Sequence, residues 1–342
     1  MRSFASDNNS GVHPEVMEAI LAANTDHAAG YGDDRWTERA TESIRGVFGA
    51  KAWPFFLFNG TGANSVALQA VTRSFNSIIC ATTAHIYVDE CNAPARMTGC
   101  QLIAVPTPDG RLTPDLIRPH LHHFGDCHHA QPGAVYLAQA TELGTIYTPE
   151  EIRAIADLIH GHGMKLHMDG ARLANACAAL GCTMREATVD AGVDILSLGG
   201  TKNGMMMGEA VVAFDEELAA NIKYYRKQSA QLASKMRYLS AQFVPYLESG
   251  LWLRNAEHAN RQAQRLAMRL AALPHVELTQ PVDTNQIFLS VPEEAIARLA
   301  EHYFFYVWNE ATHEVRFVTS WDTTDEDIDG LVGTLEAILR AL

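Results

Sequence analysis

The chain has 342 residues, 47% of them hydrophobic, and a formal net charge of -14. This size and composition are typical of a globular protein with two domains. The acidic balance, without any Lys- and Arg-rich segment, argues against nucleic acid and against an anionic membrane surface as partners. No apolar run reaches about 18 residues and the first residues lack an apolar signal segment, so we expect a cytoplasmic protein that does not span a membrane.

Between about residues 53 and 215, short apolar runs alternate with amphipathic stretches. This alternation predicts an α/β fold in which a mostly parallel sheet lies between helices. The seven predicted strands cover residues 55–58, 77–80, 101–105, 134–138, 165–168, 195–198 and 209–214.

One helix has unusually complete signals. Thr148 is a good N-cap, Pro149 suits the first helical position, and Glu151 completes a capping box. Ile152 and Ile155 begin an apolar stripe at helical spacing, so a helix is predicted to follow Thr148.

After residue 215 the pattern changes to long helical stretches over 216–248 and 250–273. Three short strands are predicted around Phe288, Tyr306 and Phe317, followed by a last helix over 324–342. We therefore expect a large domain over residues 1–240 and a small C-terminal α/β domain over residues 241–342.

Polar residues that directly follow the strands are the first candidates for function, because ligands of open α/β sheets bind at the carboxyl ends of the strands. Gly60, Thr61 and Gly62 lie between a strand and a helix, where free N–H groups and the helix dipole suit a phosphate. A glycine-rich turn without function fits this motif equally well.

Asp169 ends another predicted strand, and a buried carboxylate there needs a cationic or protonated partner. Arg172, three residues later, is one candidate partner, and a protonated ring nitrogen of a ligand is the other.

Lys202 lies 33 residues after Asp169, in SLGGTKNG, directly after a buried strand. Burial lowers the pKa of an amine and favours attack on a carbonyl, which indicates a Schiff-base lysine. The alternative is a lysine that extends to solvent at the sheet edge. His85, after the strand at 77–80, is either structural or placed to stack on a planar ring and to handle a proton.

Together these residues are the parts that pyridoxal 5'-phosphate (PLP) requires. A protein that binds PLP must hold its phosphate, keep its pyridine nitrogen protonated with a carboxylate, and hold its aldehyde through a lysine. The sequence therefore indicates a PLP enzyme.

The motifs also resemble a known family. FASDNNSG, GYGDDRWTERA, FNGTGANSVAL, HMDGARLANA, GGTKNG and VRFVTSWD occur in the order found in threonine aldolases, a group of β-eliminating lyases with PLP fold type I. The resemblance covers essentially the whole chain and implies an aspartate aminotransferase-like fold.

The resemblance implies a role for individual residues. Lys202 would form the Schiff base, Asp169 would pair with the pyridine nitrogen, and His85 would stack on the ring. Gly60, Thr61 and Gly62 would bind the phosphate, and Arg172 would lie near the phenolic oxygen of the cofactor and the substrate. Ser6 and Arg316 would bind the substrate carboxylate, and Lys227 would reach the phosphate of a neighbouring subunit in a homodimer or homotetramer. Many family members have histidine where this chain has Glu142, and a Gly-Leu-Gly run where it has NGMMMG.

The implied reaction is retro-aldol cleavage of L-threonine and L-allo-threonine to glycine and acetaldehyde. His85 is the first candidate for the base that removes the β-hydroxyl proton, and His128 and His129 are competitors. We expect no metal site, and we interpret the histidine-rich segment HLHHFGDCHH as a surface loop. The alternatives are a PLP-dependent β-eliminating lyase, an aminotransferase, or a PLP-binding scaffold without turnover.

Overall fold

A computed structural model describes residues 2–342 of the chain. The strands are β1 (Trp53–Leu57), β2 (Asn76–Ala81), β3 (Gln101–Val105), β4 (Gln131–Ala138), β5 (Lys165–Gly170), β6 (Ile195–Gly199), β7 (Glu209–Ala213), β8 (Glu277–Leu278), β9 (Gln286–Ser290), β10 (Tyr306–Asn309) and β11 (Glu314–Val318). The helices are α1 (Pro14–Ala23), α2 (Arg35–Phe48), α3 (Gly60–Val71), α4 (His85–Val88), α5 (Ala93–Thr98), α6 (Pro114–Ile117), α7 (Pro149–His160), α8 (Leu173–Leu180), α9 (Glu216–Gln228), α10 (Arg237–Ser240), α11 (Phe243–Glu248), α12 (Leu251–Leu270), α13 (Glu293–Ala300) and α14 (Asp325–Arg340).

The large sheet has the seven predicted strands, in the order β1-β7-β6-β5-β4-β2-β3. The pairs from β6 to β3 are parallel, and β7 is antiparallel to both of its neighbours, β1 and β6. This arrangement confirms the predicted mostly parallel α/β sheet. Helices cover both faces of this sheet, and its strands therefore carry apolar side chains on both faces.

The helix predicted after Thr148 is confirmed as α7. The side chain of Thr148 accepts a hydrogen bond from the backbone N–H of Glu151, and the side chain of Glu151 accepts one from the N–H of Thr148. Ile152 and Ile155 are fully buried against the large sheet. The cap and the apolar stripe thus determine where this helix begins and which face it buries.

The prediction of one helical stretch over 216–248 is wrong in its middle part. The helix α9 ends at Gln228, Ala230 has a positive φ of 57°, and helical structure resumes only at Arg237. The side chain of Gln231 in this interruption accepts a hydrogen bond of 3.0 Å from the backbone N–H of Phe58, at the end of β1. A contact distant in sequence therefore interrupts the helical pattern.

The second sheet contains β10, β11, β9 and β8 in that order, all antiparallel. Its core includes residues of α12, α13 and α14. The helix α12 contributes to both cores, because Ala256 packs in the core of the large sheet and Ala263 in that of the small one. The division at residue 240 therefore stays a proposal.

The N-terminal segment, residues 3–7, joins the two sheets. The N–H of Phe4 donates to the carbonyl of Phe304, and the N–H of Val318 donates to the carbonyl of Phe4, both at 2.8 Å. The Phe4 side chain is buried in the core of the small sheet, whereas the next residues of the segment reach the edge of the large sheet. Among residues 2–342, no helix combines the length and apolarity needed to cross a membrane.

Candidate active site

One edge of the large sheet brings the predicted polar residues together. His85 follows β2, Asp169 is the next-to-last residue of β5, and Lys202 follows β6. Since these strands are parallel, their carboxyl ends meet at the same edge. A cavity of about 640 Å³ opens there, and its lining includes Ser6, His85, Glu142, Arg172, Lys202 and Arg316.

A narrower cavity of about 50 Å³ lies deeper at the same edge. Gly60, Asn64, Asp169 and Ala171 are among the residues that line it. His85, Glu142, Arg172 and Lys202 line both cavities, so they mark the junction of the narrow space and the wide one.

Asp169 is a buried carboxylate with its hydrogen bonds satisfied. Its Oδ2 accepts from Asn64 Nδ2 and from the Tyr136 hydroxyl, both at 2.8 Å, and its Oδ1 accepts from the N–H of Ala171 at 2.9 Å. Burial alone would raise the pKa of Asp169, but these donors and the nearby Lys202 hold it below its ordinary value. The carboxylate is therefore ionised and can stabilise a cation in the narrow cavity.

Arg172 does not serve as the partner of Asp169, one of the two alternatives left open by the sequence. Its Nε donates to Asp7 Oδ2 at 2.7 Å, and a terminal nitrogen donates to Asp7 Oδ1 at 2.9 Å. Asp7 also accepts a hydrogen bond of 3.0 Å from Asn285 Nδ2. The ion pair connects the N-terminal segment to the large sheet. Since Arg172 pairs with Asp7, the remaining alternative for Asp169 is a cationic group of a ligand.

Lys202 lies in a short turn between β6 and β7 and borders both cavities. Burial and the charge of Arg172 lower the pKa of its amine, although Asp7 and Asp169 oppose the shift. The alternative of a lysine on the outer surface does not fit this position. A lowered pKa raises the fraction of free amine that can react with a carbonyl group.

His85 begins α4, and its ring is held by a buried glutamate. Its Nδ1 lies 2.8 Å from Oε1 of Glu90, which also accepts a hydrogen bond from Asn64. The hydrogen bond to Glu90 raises the pKa of His85 against the opposing effect of burial. His85, Glu90, Asn64 and Asp169 therefore form one connected polar network behind the cavity.

Gly60, Thr61 and Gly62 form the first turn of α3, as the phosphate-binding prediction requires. The N-cap is Asn59, whose Oδ1 accepts a hydrogen bond of 2.8 Å from the N–H of Gly62. The cap thus engages the N–H of Gly62, whereas the N–H groups of Gly60 and Thr61 can donate to an anion at this end.

Arg316 and Ser6 reach the wide cavity from outside the large sheet. The guanidinium carbon of Arg316 lies 4.8 Å from the centroid of the Trp308 ring and 5.6 Å from that of Tyr306. A terminal nitrogen of Arg316 donates to the carbonyl of Ala5 at 3.2 Å. Burial and the charge of Arg172 lower the pKa of Arg316 to about 10, so two cations share the cavity and an anionic ligand would relieve their repulsion.

Three predicted site residues lie elsewhere. His128 and His129 are exposed in the turn before β4 and line neither cavity of their own chain, so the structure does not bring them to Lys202. In that turn, potential ligand atoms of His123, Asp126 and His129 lie within 4.8 Å of one another. The absence of a metal site stays a prediction. The amine of Lys227 lies 5.6 Å from the centroid of the Tyr31 ring, also outside both cavities.

Sequence reasoning missed several site residues. Asp7 adjoins the predicted Ser6, and Asn64 follows Gly60 by one helical turn, so both positions carried a detectable signal. Glu90 and Tyr136 gave none, because their roles depend on contacts between separate elements. Glu142 stood out only as a departure from the family pattern.

The residues present fit PLP. The narrow cavity offers an ionised carboxylate for a pyridine nitrogen, and an amine of lowered pKa for an aldehyde. The helix N-terminus at Gly60 offers backbone donors for a phosphate, and Ala171 leaves room for a flat ring. The carboxylate, the amine and the backbone N–H groups are the three kinds of group that hold PLP in proteins.

Comparison with known proteins places the chain in a family. The model of the family described as beta-eliminating lyase matches residues 3–294. The chain belongs to this family.

Full-length relatives agree with this membership. The chain is 45% identical over 341 residues to a low specificity L-threonine aldolase of a Pseudomonas species, and 46% identical over 342 residues to that of Pseudomonas aeruginosa. Each alignment covers 99% of both proteins. These β-eliminating lyase relatives confirm the predicted resemblance to threonine aldolases and the lyase class, and they support an L-threonine aldolase activity.

Solved structures confirm the fold. A threonine aldolase of Leishmania major has a TM-score of 0.93 at 29% identity and covers 99% of this chain and 100% of its own. Alanine-glyoxylate aminotransferase of a Nostoc species has a TM-score of 0.72 at 16% identity, over 99% of this chain and 95% of its own, a likeness of fold alone. The chain therefore has PLP fold type I. Its family and its structural neighbours imply that it uses PLP.

Proposed function

We propose that the chain is a PLP-dependent L-threonine aldolase, which cleaves L-threonine and L-allo-threonine to glycine and acetaldehyde. The proposal is carried by one observation: Ser6, Arg316 and Lys202 line the same wide cavity at the carboxyl ends of the strands. An amino acid needs this combination, a cationic site for its carboxylate beside a site where its amine reaches the cofactor.

The cofactor would be held by residues already described. Lys202 would bind it through its amine, Asp169 would pair with its pyridine nitrogen, and His85 would lie against its ring. Gly60, Thr61 and Gly62 would bind its phosphate, and Arg172 would lie near its phenolic oxygen. Bound PLP supplies the electron sink for the electron pair released when a bond at Cα breaks.

The side chains of this site determine which bond breaks. The guanidinium of Arg316 would bind the substrate carboxylate through paired hydrogen bonds, and Ser6 would add a further polar contact. A carboxylate fixed in this way would orient the substrate so that the Cα–Cβ bond, rather than either of the other two bonds, is aligned for cleavage. Positioning by Arg316 and Ser6 thus directs the reaction to aldehyde release.

A second subunit is part of the proposal. Lys227 lines neither cavity of its own chain, and we propose that it binds the cofactor phosphate of a neighbouring copy. We propose a homodimer or a homotetramer of two such dimers. Light scattering on the purified protein distinguishes the two from a monomer.

The test is a product assay on the cofactor-loaded protein with L-threonine and L-allo-threonine. We expect glycine and acetaldehyde in equal amounts. Release of ammonia together with a four-carbon 2-oxo acid would indicate β-elimination instead, and dependence on an added keto acid would indicate an aminotransferase. Visible absorbance of the cofactor without turnover of either isomer would indicate a binding scaffold and refute the proposal.

A further inference from the structure

Glu142 occupies an unusual place in the site. It follows β4 and lines both the narrow and the wide cavity, together with His85, Arg172 and Lys202. These are the four residues at the junction, and Glu142 is the one carboxyl group among them. The substrate carboxylate would bind at Arg316 in the wide cavity, and the cofactor would bind at Lys202 at the junction itself. We therefore expect the substrate side chain to lie close to the junction.

The other three residues at the junction are poorly suited to accept a proton. Arg172 is a permanent cation bound to Asp7 through two nitrogens. Lys202 would be the residue that binds the cofactor aldehyde. The Nδ1 of His85 is bound to Glu90, which favours the charged ring, and a charged imidazole has no free lone pair.

Glu142, by contrast, is held in place and is a natural acceptor. Its Oε1 accepts a hydrogen bond of 2.8 Å from the backbone N–H of His85, which fixes the carboxyl group relative to α4. A carboxylate has several lone pairs, so this bond leaves acceptor capacity for a substrate hydroxyl. The side chain is half-buried because it borders the cavity.

We propose that the Glu142 carboxylate accepts the β-hydroxyl proton of the substrate during cleavage, an inference that rests on the aldolase function proposed above. The hydroxyl O–H bond breaks, and the proton bonds to a Glu142 oxygen. The electron pair of that bond forms the second C–O bond of the aldehyde. The Cα–Cβ bond breaks, its electron pair remains on the Cα side, and a proton added to Cα completes glycine, so no oxidant or reductant is consumed.

The environment of Glu142 suits a base that works near neutral pH. Burial raises its pKa to about 7, against the hydrogen bond from His85. The titratable and charged groups that face it come from several elements and are Cys80 of β2, His85 of α4, Tyr136 of β4, Tyr147, Asp169 of β5, Arg172 and Lys202. Since the carboxylate is the active form, cleavage should weaken as pH falls through the pKa of Glu142.

The test compares Glu142→Gln with the wild type in two reactions of the cofactor-loaded enzyme. One is aldehyde release from L-threonine, and the other is exchange of the Cα proton of glycine with solvent deuterium, which involves no β-hydroxyl group. Glutamine can still accept the hydrogen bond from His85, so the site should keep its shape. Glu142→His supplies a different acceptor. As a matched control, Glu18→Gln makes the same change at an exposed carboxyl group of α1 that lines neither cavity.

We expect Glu142→Gln to lower kcat/KM for cleavage by about 100-fold or more, the usual contribution of a general base. Glycine exchange should persist in Glu142→Gln, and the acid limb of its pH profile for cleavage should disappear. Glu142→His should restore part of the rate, and Glu18→Gln should cleave like the wild type. Equal loss of exchange and cleavage, or full cleavage by Glu142→Gln, would refute the role of Glu142 alone. A wild type that exchanges glycine but releases no aldehyde would refute the aldolase function and this inference with it.

Discussion

The ion pair between Asp7 and Arg172 allows a quantitative stability test. Asp7→Ala removes the partner of an arginine whose side chain is only 9% exposed, and Asp7 itself is 1% exposed. Two hydrogen bonds to Arg172 and one to Asn285 disappear at once. The guanidinium is then left as a buried charge without its carboxylate.

The expected loss follows from this burial. Breaking a buried ion pair by removing one partner costs about 3–5 kcal/mol, because the remaining charge keeps its desolvation penalty. The matched control is Asp190→Ala, whose partner Arg185 is 3.1 Å away but where both side chains are more than 40% exposed. An exposed pair of this kind contributes at most about 1 kcal/mol.

Urea unfolding at one fixed protein concentration measures both variants. Cofactor-free protein should be used, since Arg172 borders the cofactor site and a change in cofactor affinity would otherwise enter the result. We expect the unfolding midpoint of Asp7→Ala to lie well below that of Asp190→Ala at unchanged slope. Two equal midpoints would show that water or a neighbouring group replaces the carboxylate and that our reasoning about this pair is wrong.

Two further variants test the roles assigned to the site. Lys202→Ala should lose the visible absorbance that depends on a bond between lysine and cofactor, and a borohydride-reducible lysine adduct in this variant would assign that bond to another residue. Arg316→Ala should raise KM for L-threonine by about 10- to 100-fold, since a hydrogen bond to a charged group contributes about 1.5–3 kcal/mol. Its cofactor affinity, measured by titration, should stay unchanged, and an equal weakening of both would contradict a carboxylate-binding role.

The sequence predicts the large sheet well because its strands are short apolar runs and its helices carry local signals. The cap of α7 lies within four residues of chain, so no tertiary information is needed to find it. The break after Gln228 was missed because its cause, the hydrogen bond from Phe58 to Gln231, joins residues 173 positions apart. The helix α13 was also missed, although its acidic first turn is a usual start signal.

In the site, too, the residues with a local signal could be predicted, and those that depend on contacts distant in sequence could not. Asp169, Lys202 and Gly60 could be found because each directly follows a strand, and the topology of a parallel sheet brings such residues to one edge. Asp7 could not be assigned to Arg172, since 165 residues separate them. His128 and His129 were chosen for their chemistry, although the segment that contains them was itself interpreted as a surface loop.

The path of residues 3–7 has a practical consequence for immobilising this protein. Phe4, near the start of the segment, is anchored to Phe304 and Val318, and Asp7 at its other end holds Arg172, which lines the same cavity as Lys202. Tension applied to this end of the chain, for instance through a short tether to a resin, would be transmitted directly to the candidate active site. The opposite end offers a safer attachment point, because α14 ends at Arg340 and is followed by the exposed residues Ala341 and Leu342.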